Sequence, residues 1–110
     1  MQIGSVQNGE AIVLGALDIS MIDSVIKRNI NQIRYCYQKE LHKYPNLNGT
    51  IVVKFVVAAD GSVQKSVIKS STMGSEAAQN CVAKRLLRMK FPAPKGGGIA
   101  IVSYPFVFTP

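Results

Sequence analysis

Little in this chain supplies catalytic or metal-binding chemistry. Its 110 residues hold one histidine, two cysteines and six acidic side chains. His42 stands beside Glu40 near the polar end of a helical pattern. A triad would need a nucleophile oriented toward it and a third group, and no sequence pattern suggests either, so it reads as a surface residue. Cys36, Cys81 and His42 lack the ligand spacing of a zinc site. Gly96-Gly97-Gly98 is not followed by Gly-Lys-Ser/Thr, which excludes a phosphate loop of the usual kind. The longest apolar runs are a few residues, too short to span a bilayer. Met1-Gln2-Ile3-Gly4 has neither the basic start nor the apolar segment of an export signal. An exported form would take its signal or membrane anchor from sequence outside these residues. These absences point away from an enzyme, and no cofactor or metal is expected.

What is present is an ordinary globular balance, 47% hydrophobic and 17% charged, in a length that suits one domain. Thirteen Lys and Arg set the formal net charge at +7, which favours acidic partners. The cations are grouped. Lys27, Arg28, Arg34, Lys39 and Lys43 dot the outer face of one helical pattern, and Lys84, Arg85, Arg88 and Lys90 crowd the end of another. Part of this grouping complements the helix dipole.

The element order reads β-α-β-β-α-β. Ser5 to Leu14 ends in Ala11-Ile12-Val13-Leu14 and reads as a short strand. Ser20, three residues before Asp23, has the capping-box spacing. Ile22, Val25, Ile26, Ile30, Ile33, Tyr37, Leu41 and Tyr44 follow at helical spacing. One helix of about 25 residues is therefore predicted, ending before Pro45. Ile51 to Ala58 is β-branched or aromatic at nearly every position and reads as a largely buried strand. Asp60-Gly61 marks a hairpin, and Val63 to Lys69 is the return strand. Asn48-Gly49-Thr50 matches a glycosylation pattern but reads first as a turn. A second helix begins near Ser75, with Ala78, Val82, Leu86 and Met89 as its core stripe. Phe91-Pro92-Ala93-Pro94 ends it, and Ile99 to Phe108 is a closing strand that Pro105 interrupts. The expected fold is α+β: an antiparallel three- or four-stranded sheet with two helices on one face. Residues 1–14 form an N-terminal segment carrying the possible extra strand, and residues 15–110 the domain proper.

Cys36 and Cys81 fall on the two predicted helices, each at the edge of an apolar face. Two readings stand side by side: a disulfide staple in an oxidising compartment, or two buried thiols acting as small hydrophobes. The same element order also serves RNA-recognition domains, which stack bases on aromatic residues of central strands. Val63 to Lys69 has no aromatic residue, so specific nucleic-acid binding is not expected.

Several blocks in order carry a family resemblance. They are Ile26-Lys27-Arg28-Asn29-Ile30-Asn31-Gln32-Ile33-Arg34-Tyr35-Cys36-Tyr37, Pro45-Asn46-Leu47-Asn48-Gly49 and Gly61-Ser62-Val63. Cys81, Phe91-Pro92-Ala93-Pro94, Gly96-Gly97-Gly98 and Tyr104-Pro105-Phe106-Val107-Phe108 complete the set. Over roughly residues 15 to 108 the chain resembles the AgmX/PglI C-terminal domain family, a relative of the TonB C-terminal domain found in gliding and predatory delta-proteobacteria.

The resemblance implies a TonB-like periplasmic domain of a longer protein anchored in the inner membrane, serving gliding motility or energy transduction. It implies that Cys36 and Cys81 pair. It also implies that an envelope or outer-membrane protein binds by strand addition at the last strand, along Ile99, Ala100, Ile101, Val102, Ser103 and Tyr104, with Phe106 nearby. One feature bears on that transfer: if Ser5 to Leu14 pairs with the last strand, the edge is closed. Pro105 would limit edge-to-edge aggregation there. The glycine loop supplies a hinge for a strand-swapped dimer. The alternative function is a basic module holding peptidoglycan or anionic lipid through Lys39, Lys43, Lys84, Arg85 and Arg88.

Overall fold

A run that is β-branched or aromatic at nearly every position from Thr50 to Val57 builds the middle of the sheet. In the computed structural model, which describes residues 4–110, this segment lies in strand β3 (Gly49–Val57). Ile51, Val53, Phe55 and Val57 are fully buried on one face, while Val52, Lys54 and Val56 point to the other. The hairpin at Asp60-Gly61 leads into β4 (Val63–Ser71), antiparallel to β3. Asp60 Oδ1 accepts from the Ser62 backbone N–H at 2.9 Å and from Ser62 Oγ at 2.6 Å. These bonds hold the Asp60 carboxyl below its usual range. Gly61 has φ +89°, and a Cβ there would lie 2.0 Å from the Phe91 carbonyl oxygen, so only glycine fits.

The helical face is covered by α1 (Ile19–Arg28), α2 (Ile30–Lys43) and α3 (Glu76–Leu87). The single long helix expected from the periodicity is thus two. Asn29 divides them without proline or glycine, at φ −109° and ψ 11°. Its Nδ2 donates to the Val25 carbonyl at 2.8 Å, and its Oδ1 accepts from Gln32 Nε2 at 3.2 Å. The side chain thereby competes with helix continuation. The capping box is also corrected. Asp18 occupies the N-cap, and Ser20 lies inside α1 with its carbonyl accepting from Ser24 Oγ at 3.0 Å. At α3 the expected start holds: Ser75 Oγ accepts from the Ala78 N–H at 3.2 Å and donates to the buried Glu40 carboxylate at 3.3 Å.

The sheet has five strands rather than three or four. β5 (Ala100–Thr109) runs through Pro105 without a break, and the segment expected to give one strand gives two, β1 (Ser5–Asn8) and β2 (Ile12–Leu14). The order is β1-β5-β3-β4, with β2 also on β5 and every pairing antiparallel. The part of the N-terminal segment from Ser5 onward therefore belongs to the same sheet as the rest; residues 1–3 lie outside the described residues. Ile22, Ile26, Ile33, Tyr37, Leu86 and Phe106 are among the fully buried side chains of one core cluster between sheet and helices. Among the described residues no helix is long and apolar enough to cross a membrane.

Candidate partner-binding surfaces

β5 is an inner strand. β3 pairs with it from Ala100 to Phe108, while β2 pairs with Ile101–Ser103 and β1 with Phe106–Thr109 along its other side. The edge expected to be free is therefore closed by the N-terminal segment. Ala100, Val102, Tyr104 and Phe106 face the core and are buried; Ile101 and Ser103 are half-buried on the opposite face, and Ile99 lies exposed before the strand. The join between β1 and β2 falls opposite Pro105. The Gly9 N–H donates to the Pro105 carbonyl at 2.9 Å, and a Cβ on Gly9 would meet the proline ring at 2.6 Å. In an extended strand a residue's nitrogen and carbonyl point the same way, so the N–H that Pro105 lacks falls at this break. That is why proline does not interrupt β5.

The covering is thin. β1 has four residues and β2 three, and none of these seven is fully buried. A groove of about 560 Å³ runs beneath β1 against α1 and α2, from Val6 and Asn8 to Lys27 and Arg34. Arg34 Nη1 donates to Asn31 Oδ1 at 3.1 Å, while its buried Nε makes no hydrogen bond among the described residues. Among the described residues no strand lies beside the outer side of β4. This strand carries Lys65 and Lys69, and two register shifts interrupt its ladder with β3, features that discourage edge pairing.

Of the five cations expected to form a basic module, all but Lys43 converge. Cys36 and Cys81 form a disulfide, with Cα atoms 5.6 Å apart, that ties α2 to α3. Over it lies a groove of about 270 Å³ lined by Lys39, Lys84, Arg85, Arg88, Asn80 and Ala77. Lys39 Nζ and the Arg85 guanidinium sit 5.1 and 5.8 Å from the Tyr35 ring centroid, so cation–π contacts hold both in place. Lys43 is directed instead to Glu40, at 3.6 Å.

One buried polar link has no local signature along the chain. Tyr104 Oη, from the middle of β5, donates to Asp23 Oδ1 of α1 at 2.6 Å. Desolvation first, and the bond to Asp23 second, push the phenol far above its usual range. Asp23 thus anchors a helix to the sheet instead of closing a capping box. His42 is exposed. Among the described residues no group of His, Cys, Asp and Glu is placed to hold a metal ion. All four strand aromatics, Phe55, Tyr104, Phe106 and Phe108, are buried on the helical side and present no stacking platform. No family model, no curated protein and no solved structure matches this chain.

Proposed function

We propose that this is a non-enzymatic, TonB-like protein-interaction domain of the cell envelope. In this reading it belongs to the periplasm, as part of a longer inner-membrane-anchored protein in gliding motility or energy transduction. It takes up an extended segment of an envelope or outer-membrane partner by strand addition at β5, where the segment replaces β1 and β2. One observation carries the reading: among the described residues, the outer side of a ten-residue inner strand is paired only with two short, incompletely buried strands, Ser5–Asn8 and Ile12–Leu14. Backbone ladders of several parallel bonds suit a link that bears force, and alternate side chains supply specificity. The disulfide between α2 and α3 would hold the helical layer while the sheet edge exchanges.

In-cell photocrosslinking tests this, with probes placed singly from Ile99 to Tyr104. Adducts to one envelope protein, recurring every second residue, are expected. Adducts only from probes at Lys39 or Arg88 would replace strand addition with the second reading, a basic module for peptidoglycan or anionic lipid. The convergence of Lys39, Lys84, Arg85 and Arg88 on one groove favours that second reading.

A further inference from the structure

The face of the sheet turned away from the helices has a composition that a solvated face does not require. An antiparallel sheet packed on one side normally alternates apolar inward and polar outward. Here the outward positions include two adjacent cross-strand rows, read directly from the register. One runs Lys65–Val56–Ile101–Leu14 and the next Val67–Lys54–Ser103–Ile12. Leu14, Ile12 and Val67 are 64, 61 and 40% exposed. A recess of about 180 Å³ opens between Lys54, Val56, Lys65, Val67 and Ile101. Lys69 Nζ reaches across to Ser103 Oγ at 3.5 Å and adds a third cation to the same face. The five strands carry these three lysines and no Asp or Glu; all six acidic residues of the chain lie outside them.

We propose that this open sheet face is a docking surface for an acidic amphipathic helix of a partner protein. It is a second interface, distinct from strand addition at β5 but linked to it: Ile12 and Leu14 belong to β2, which strand addition displaces, and Ile101 lies on β5 itself. Two layers of secondary structure bury one side of a sheet, and a helix laid on the free side completes a third. Aliphatic side chains of that helix fill the recess between Val56, Val67 and Ile101, while its carboxylates meet Lys54, Lys65 and Lys69. The distribution of charge selects this occupant. A second copy of the chain would bring lysines against lysines. A lipid surface is matched by an apolar centre with a basic rim, whereas here Lys54 stands on β3 between the rows of Val56–Ile101 and Val52–Pro105. Interleaved cations and aliphatic groups match interleaved carboxylates and aliphatic groups.

The test uses a synthetic helical peptide of about 18 residues with leucines at i, i+3, i+4 and i+7 spacing and flanking glutamates, alongside counterparts carrying lysine or glutamine instead. Backbone amide NMR of the intact chain, titrated with each peptide, maps the contact. The glutamate peptide is expected to shift Lys54, Val56, Val67 and Ile101, and the lysine peptide to bind at least about tenfold more weakly. Lys54→Glu, an exposed substitution that leaves the core untouched, is expected to weaken the glutamate peptide about tenfold, and Lys84→Glu to leave it unchanged. Equal binding of all three peptides, shifts confined to the helical side, or no binding of the glutamate peptide would overturn the proposal. So would shifts of these residues with phosphatidylglycerol vesicles and none with the glutamate peptide, which would assign the face to lipid.

Discussion

Tyr104 and Asp23 join the centre of the sheet to the first helix through one short hydrogen bond, 2.6 Å from Oη to Oδ1. Tyr104 is itself fully buried and packs 5.1 Å from the Phe106 ring. The phenol must stay protonated to donate, and burial keeps it so.

A pH dependence follows. The folded state raises the Tyr104 pKa above that of the unfolded chain, so its contribution is complete below pH about 10 and is lost as pH climbs above that value. Urea unfolding as a function of pH should show this alkaline loss in the parent chain and a smaller one in Tyr104→Phe. At neutral pH the variant should be less stable by about 1.5–3 kcal/mol, the usual range for a hydrogen bond to a charged group.

Removing the staple should cost more. The Cys36–Cys81 bridge closes a loop with a sequence separation of 45, worth about 4 kcal/mol in the chain-entropy account. Cys36→Ser with Cys81→Ser should lower the urea midpoint accordingly, and a reducing agent should reproduce the effect in the parent chain. An unchanged midpoint would show that helix packing alone holds α2 to α3.

Gly61→Ala should be among the most damaging single-methyl changes in the chain. It combines a left-handed backbone position with a 2.0 Å approach to the Phe91 carbonyl oxygen. A loss of several kcal/mol, of the order of 3, is expected by thermal unfolding. Gly96→Ala is the control: it shares the positive φ but has no atom within 4 Å of a Cβ.

Ser75→Ala should cost about 1–2 kcal/mol, because the serine both caps α3 and satisfies Glu40. Ser75→Asp keeps a cap acceptor but brings a second carboxylate against Glu40, so it should not restore stability. Restoration by aspartate would mean that capping alone explains the serine.

The parts legible in the sequence were those set by neighbours along the chain. The buried run Ile51 to Val57, the Asp60-Gly61 hairpin and the Ser75 helix start are local patterns, and each appears where its residues place it. The break at Asn29 was hidden because the apolar stripe continues through it, and only the side-chain bond to Val25 reveals the stop. Closure of β5 was harder still. It depends on Gly9 meeting Pro105, two residues at opposite ends of the chain, and a strand's own sequence does not record how many neighbours it has. The basic groove was half legible: periodicity put the cations on helix faces, but the packing of α2 on α3 chose Lys39 and left Lys43 to Glu40.

Exchange of the N-terminal strands on β5 is most directly tested by locking them. Gln7 and Val107 stand opposite one another in the β1–β5 register, so Gln7→Cys with Val107→Cys can place a bridge across the pair. Photocrosslinking from Ile101 and Ser103 would then be compared in the locked and parent proteins inside the cell. Strand addition by replacement of β1 and β2 predicts that the partner adduct disappears in the locked protein and survives when only one of the two cysteines is introduced. An adduct of equal yield in the locked protein would contradict it.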